Sequence, residues 1–334
     1  MQFFERAPLC IKGYCLICLL LFGGRLSSQS LLENTQVRFF ADAGFKAGRD
    51  TTDRLAPEFQ SSGIEILITS QLTDKISLLA EPVLKLNGSI SLERVMIKYS
   101  FANYLNISAG RLYTPLGLWN TTFFRFAKAL TPTIDAPKII ANFEEGGFAI
   151  NKDNGIMISG DDIAKIRFGY RVMIGNGYNE PNSRHKIYFG NVFIEPLDNL
   201  RLSVSATTSK NKGIFSPVES TIDALIFACM YMGGKDIEFA YEFYRGRVHD
   251  AATNSVGLIH YGYVGYKIGK VTPYGQYYNG VAAESSGLVD NSHATLGVRF
   301  NSTPLSVFKT EVELRQSDDF SKVNQFRILW AIGF

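Results

Sequence analysis

The closing stretch Phe326-Arg-Ile-Leu-Trp-Ala-Ile-Gly-Phe334 decides the fold. Phe326, Ile328, Trp330, Ile332 and Phe334 fall on one face of an extended chain, and Gln325, Arg327, Leu329, Ala331 and Gly333 on the other. Residues two apart share a face in a strand, so this period marks a β-strand with one wholly apolar face. The same period recurs upstream. Val37, Phe39, Ala41, Ala43 and Phe45 alternate with Arg38, Phe40, Asp42, Gly44 and Lys46. Ile166, Phe168, Tyr170, Val172 and Ile174 alternate with Lys165, Arg167, Gly169, Arg171 and Met173. Ile237, Phe239, Tyr241 and Phe243 alternate with Asp236, Glu238, Ala240 and Glu242.

Sixteen such segments are expected, near 35–46, 60–72, 75–85, 91–101, 104–112, 154–160, 163–175, 185–195, 199–208, 220–232, 235–245, 254–267, 270–280, 292–301, 305–316 and 323–334. Their connections alternate between long and short. The long ones include 47–59, 113–153, 176–184, 209–219, 246–253 and 281–291. The short ones include Thr73-Asp74, Ala102-Asn103, Asp161-Asp162, Gly233-Gly234, Ile268-Gly269 and Ser302-Thr303. A soluble sandwich has no reason to keep every second hairpin tight. An up-and-down membrane barrel does, because its tight turns all lie on one side of the bilayer. Aromatic residues recur near strand ends on the apolar face (Phe39, Phe45, Phe168, Tyr170, Phe239, Phe243, Phe300, Phe326, Trp330, Phe334), where interface girdles belong. The expected fold is all-β: a sixteen-stranded antiparallel transmembrane β-barrel whose long third loop folds inward.

Composition narrows the function classes. The 334 residues are 46% hydrophobic and 19% charged, which excludes disorder. No apolar run reaches the roughly 18 uncharged residues of a membrane helix. The formal charge of +3 is spread along the chain, which argues against nucleic-acid binding. A mean hydropathy of +0.02 is what two averaged faces would give. Residues 1–28 read as a cleaved signal peptide, with Arg6 and Lys12 ahead of an apolar core at 13–24 and small Ser27 and Ser28 after it. Cys10, Cys15 and Cys18 fall in that leader and only Cys229 follows it, so no internal disulfide is expected. Removing Arg6, Lys12 and Arg25 against Glu5 takes 34 basic and 31 acidic residues to 31 and 30. Residues 29–334 are expected to form one barrel.

The chain resembles the sixteen-stranded porins of Gram-negative outer membranes. The terminal strand ending in Phe334 is similar to the signal read by the barrel-assembly machinery. The longest connection follows the fifth strand, as the constriction loop of porins does. Gly110-Arg-Leu-Tyr-Thr-Pro-Leu-Gly-Leu-Trp-Asn120 is similar to an element of the phosphate- and dicarboxylate-selective types. Asn154-Gly-Ile-Met-Ile-Ser-Gly160 and Ile174-Gly-Asn-Gly-Tyr-Asn179 resemble the strand ends that follow it there. The resemblance implies an outer-membrane location, a homotrimer, and passive diffusion of ions and small hydrophilic solutes.

In a barrel of this size the lumen is too wide for side chains to fill, so whatever narrows it and whatever charges line it set selectivity. The 113–153 loop is the expected constriction. Its charges balance, with Arg125, Lys128, Lys138 and Lys152 against Asp135, Glu144, Glu145 and Asp153. The wall is expected to add Arg94, Lys98, Arg111, Lys165, Arg167 and Arg171 on a basic side. Asp236, Glu238 and Glu242 are expected opposite, and a mixed strand carries Lys309, Glu311, Glu313 and Arg315. Segregated in this way, they would set up a transverse field. No cofactor or metal site is expected, because His185, His249, His260 and His293 are scattered. Two rival functions remain: a barrel hydrolase using His260, with Ser255 near it in sequence, or His293, and a plugged barrel with a structural or assembly role.

Overall fold

A computed structural model of the chain describes residues 34–49, 54–123, 127–136, 150–177, 185–212, 219–249, 254–281, 291–317 and 322–334. The expected leader and the expected constriction residues Arg125, Lys138, Glu144 and Glu145 lie outside them. The described residues form β1 (Thr35–Arg49), β2 (Arg54–Gln60), β3 (Ile64–Gln71), β4 (Ile76–Leu84), β5 (Ile90–Ala102) and β6 (Leu105–Tyr113). A short helix α1 (Gly117–Thr122) precedes β7 (Lys152–Ile163), β8 (Phe168–Gly175), β9 (Ile187–Leu197), β10 (Leu200–Lys212) and β11 (Glu219–Tyr231). The sheet continues through β12 (Ile237–His249), β13 (Asn254–Tyr266), β14 (Val271–Val281), β15 (Asn291–Thr303), β16 (Ser306–Ser317) and β17 (Lys322–Gly333).

Each strand pairs antiparallel with its neighbour, and β1 pairs with β17, so the sheet closes on itself. β2 and β3 lie end to end against β1, interrupted at Ser61–Gly63, where the Ser62 amide donates to Asp42 Oδ1 at 2.8 Å. They form one stave, and the closed antiparallel barrel has sixteen. The last rung of the closure is reciprocal. The Phe39 amide donates to the Phe334 carbonyl at 2.8 Å, and the Phe334 amide returns the bond at 2.9 Å. Their rings stack 5.5 Å apart on the outer face.

Alternation sorts the faces as expected. Along β12, Glu238, Ala240, Glu242 and Tyr244 are buried inside, while Ile237 and Tyr241 are exposed outside. Along β17, Arg327, Leu329 and Ala331 point in, and Phe326 and Trp330 point out. Stacked outer pairs such as Phe227–Phe243 and Tyr231–Phe239 reinforce the girdles. A bulge varies the rule in β5. Glu81 pairs with Arg94 but Pro82 with Leu92, leaving Glu93 as the extra residue. A bulge lets consecutive residues share a face, which puts both Glu93 and Arg94 inside.

Several boundaries differ from the sequence reading. Strand extends into the expected loops 47–59, 209–219 and 246–253, since β1 runs to Arg49, β2 starts at Arg54, β10 runs to Lys212 and β12 runs to His249. Strands that continue beyond the hydrocarbon carry polar residues outward, so an apolar period ends before they do. The expected turn Asp161-Asp162 lies within β7, and the turn is Ala164–Arg167. Asp162, Ala164 and Arg167 all have positive φ there, and the ladder slips between Gly160 and Ile163.

Gly110 and Gly63 are both backbone positions with no room for a side chain. The φ of Gly110 is +133°, and an added Cβ would lie 2.1 Å from the Val95 carbonyl oxygen of β5. Gly110→Ala should cost about 1–3 kcal/mol, read as a lower urea midpoint for unfolding from lipid vesicles. An unchanged midpoint would show that this rung tolerates a side chain.

Candidate functional site

The inner wall carries an unusual density of charge. Inside a barrel such charges must be paired or hydrogen-bonded, because a buried lone charge costs several kcal/mol. The partners come from other strands and from the 113–153 connection, of which 113–123, 127–136 and 150–153 are described.

The first stretch is held against β10–β14. Gly117 starts α1 with φ +64°, a conformation suited to glycine, and no side chain of the helix caps it. The wall does so instead. The Gly117 amide donates to Ser205 Oγ at 3.2 Å, and the Leu118 amide donates to the Glu242 carboxylate. Orphan amides at a helix start favour an acceptor, and a carboxylate supplies one with charge. Trp119 is fully buried, with ring centroids 4.8 Å from Phe123 and 6.3 Å from Tyr261. Leu118 and Trp119 join Met230, Tyr263, Tyr274 and Tyr278 in one cluster of inward residues.

The second stretch is held against β15–β17, mostly through its backbone. Lys309 of β16 is 0% exposed. Its ammonium donates to the carbonyls of Lys128 (2.6 Å), Thr131 (2.7 Å) and Thr133 (2.9 Å) and reaches Thr131 Oγ1 at 3.0 Å. An ammonium has three donors and no acceptor, so this ring of oxygens saturates it. Arg299 donates to the Pro132 carbonyl at 3.2 Å, and Glu311 accepts from the Ile134 amide at 2.8 Å. Arg327 pairs with Asp135 at 2.6 Å and also with Glu311 and Glu313. Ile134 packs with Val307, Leu329 and Ala331.

The expected site residues divide. Lys128 and Asp135 meet at 3.4 Å. Arg94 pairs with Glu81 and lies 4.4 Å over the Tyr113 ring. Lys98 faces inward on β5, in register with Ser77 and Ser108, and forms no ion pair among the described residues. Arg171 pairs with Asp161 at 3.1 Å and sits 4.9 Å from the Phe193 ring, which Arg201 covers at 4.3 Å. That ring fills the space where Gly169 would carry a Cβ. Glu238 accepts two bonds from Arg299, at 2.8 and 2.9 Å, and one from Lys267 at 3.0 Å.

Four expected wall charges are not on the inner wall, and one of them, Asp236, lies exposed in the β11–β12 turn. Lys165 and Arg167 lie in the β7–β8 turn, where Arg167 pairs with Asp198 at 2.9 Å. Arg111 shares the face of Ile107 and Ala109, opposite Leu112, whose side chain joins the interior cluster. The expected basic wall opposing an acidic one is therefore replaced by local pairs, as Glu238 with Arg299 illustrates. Ser205, Glu242, Arg299, Lys309, Glu311 and Arg327 hold the loop; alternation marks Glu242, Lys309 and Glu311 as inward charges, but not as seats of the loop, and leaves Ser205, Arg299 and Arg327 unmarked. For the two arginines the available signal is a lone inward arginine in an otherwise uncharged stretch of strand.

Of the histidines, His260 faces outward and bonds Tyr241 Oη at 2.9 Å. His293 is buried inside between Tyr278 Oη (2.8 Å), Thr295 Oγ1 (3.1 Å) and Glu313 (3.2 Å), cross-linking β14, β15 and β16.

Asp135 is the titratable group of the loop whose ionisation the structure tunes. Its deep position opposes charge, yet its side chain keeps 52% of its surface open. Lys128 and Arg327 outweigh the burial and hold the carboxyl below the ordinary carboxylate range.

No known family profile matches the sequence, and no curated protein matches it closely enough to count. Solved structures do. The chain is similar to the anion-selective porin from Comamonas acidovorans, with 11% identity, a TM-score of 0.70, and 90% of this chain and 99% of that chain covered. It is similar to Salmonella typhi OmpF in complex with daunomycin at 11% identity and a TM-score of 0.66, covering 91% and 99%. It is also similar to in-vitro folded OmpT, an outer membrane protein of Vibrio cholerae in trimer form, at 12% and 0.65, covering 90% and 99%. At such identities the likeness is one of fold. The chain has the barrel fold of the outer-membrane porins.

Lys309→Met removes the ammonium and strands three carbonyls. Amide exchange at Ile134 should then accelerate at least about tenfold while the barrel still assembles, since each lost bond is worth about 1 kcal/mol or more. Unchanged exchange would mean that the loop is held elsewhere. Asp135 adds a pH dependence. A carboxyl lowered in the folded state stabilises above its unfolded pKa and stops doing so as pH falls through the lowered value. Protection at Ile134, corrected for intrinsic rates, should therefore fall below the ordinary carboxylate range and fall less in Asp135→Asn. Equal acid sensitivity in the two would remove Asp135 from the account.

Proposed function

We propose that residues 29–334, exported by the 1–28 leader and inserted through the Phe334 strand, form an outer-membrane porin. It passes ions and small hydrophilic solutes by diffusion and does no covalent chemistry. One observation carries this reading. Toward the tight-turn end of β5–β7 the inner face is polar away from the described loop residues, with Lys98, Ser100, Asn106, Ser108 and Ser159. A filled core would be apolar there, whereas a hydrated lumen calls for such side chains. The 114–123 and 127–136 stretches narrow the lumen from the β10–β17 side. The trimeric form of a structural neighbour supports assembly as a homotrimer.

The same geometry points to weak ion selectivity. Arg94–Glu81, Lys152–Glu93, Arg171–Asp161 and Arg201–Glu195 are each neutral couples. Their fields cancel within the Debye length of about 8–10 Å at ordinary salt. Lys98, outside any such couple, is the residue best placed to bias the channel.

In planar bilayers the purified protein should open stepwise, ohmic conductances. Lys98→Glu should move the zero-current potential in a salt gradient toward cations without closing the pore. Absence of conductance from correctly folded protein would end the porin reading in favour of a plugged barrel.

A further inference from the structure

The geometry points to a binding site for an acylated, phosphate-bearing lipid on the outer face of β9–β12. It uses the assignment of the long-connection side to the outer leaflet, and it is independent of whether the lumen conducts.

The outward residues of three neighbouring strands change character at one height. On β12 they run Ile237, Phe239, Tyr241, Phe243, then Arg245 and Arg247. On β11 they run Tyr231, Cys229, Phe227, Leu225, then Asp223 and Thr221, and on β10 Leu200, Leu202, Val204, Ala206, then Thr208 and Lys210. The ladder sets these in rows: Ala206–Leu225–Arg245, then Thr208–Asp223–Arg247, then Lys210–Thr221–His249. Cations thus stand directly above the apolar band. Arg245 and Arg247 are exposed, and Arg247 Nε donates to Asn254 Oδ1 at 2.8 Å. Asp223 is the one acidic residue in these rows, and it lies 3.8 Å from His249. The matching outward positions of β14–β16 are Asn279, Ser292 and Gln316, all neutral, while Lys322 follows in register on β17 and Arg49 ends β1. Two arginines on one strand, directly above the apolar band, mark the β10–β12 sector.

Below it the surface is hollow. An apolar groove of about 380 Å³ lies between Val192, Ile194, Leu202, Val204, Phe227 and Cys229. Gly190 and Ala206, paired in register, extend it upward, and open space lies where Gly190 would carry a Cβ. From the Arg245 row to Cys229 is four residues, or about 13 Å of strand. That is the reach of an acyl chain hanging from a headgroup at the arginines. Paired guanidinium groups suit phosphate oxygens, and the groove suits the chain beneath. A free anion would use the first feature alone.

The test measures retention of phosphatidylglycerol and phosphatidylcholine of equal chain length on the delipidated, folded barrel by native mass spectrometry. Wild type should prefer phosphatidylglycerol. Arg245→Ala with Arg247→Ala should weaken that lipid roughly thirtyfold, at about five- to sixfold per charge. Ala206→Trp fills the hollow and should weaken both lipids with the arginines intact; Ala206→Leu serves if the larger residue hinders assembly. An unaltered preference in the double variant would overturn the proposal. So would full displacement by inorganic phosphate together with normal retention when Ala206 is filled, which would leave only a free-anion site.

Discussion

Everything in this molecule depends on the closure of one hydrogen-bond ladder, β1 against β17. In lipid no water stands ready to satisfy a strand edge, and each unsatisfied backbone group costs several kcal/mol. The pairing from Phe40–Gly333 to Arg49–Asn324, finished by the reciprocal Phe39–Phe334 bonds, leaves no edge to satisfy. Closure also fixes which face is which. Once the ladder is continuous, Trp330 must meet lipid and Arg327 must meet the interior.

That second consequence creates the difficulty which the interior solves. Arg299, Lys309, Glu311, Glu313 and Arg327 crowd the inner face of three adjacent strands, and all five are buried. Ion pairing alone would leave Lys309 short of partners. The 127–136 stretch supplies backbone carbonyls for it and an amide for Glu311, while Asp135 completes Arg327. The dependence runs both ways. A connection with little regular structure of its own gains fixed partners, and a wall with excess charge gains acceptors. Buried polar networks of this kind favour one arrangement over alternatives more than they add net stability.

The strands were legible because alternation is local. A face that meets lipid must be apolar at every second residue, and the final strand states this most clearly. What lay outside that signal was hidden for physical reasons. The outward Arg245 and Arg247 extend β12 past the hydrocarbon, where apolarity is no longer required, so its end could not be read. Asp161 and Asp162 looked like a turn because those residues favour turns, yet the chain bends three residues later, after a ladder slip. The slip sent Lys165 and Arg167 into that turn and off the wall. The seats of the loop were beyond reach altogether. That Lys309 meets Thr131, or Glu242 meets Leu118, is set by closure of the whole barrel, and no period records it. The balance of loop charge was readable, but its partition into contacts was not.

The central claim is that the 127–136 stretch lies within the barrel against β15–β17. Its most direct test is cross-linking between Asp135→Cys and Arg327→Cys with a short bifunctional thiol reagent, with Cys229 replaced by Ser and the barrel folded in lipid. The account predicts an efficient intramolecular link across the ion pair seen at 2.6 Å. A pair of cysteines that each react with a small thiol probe, yet fail to join, would contradict it.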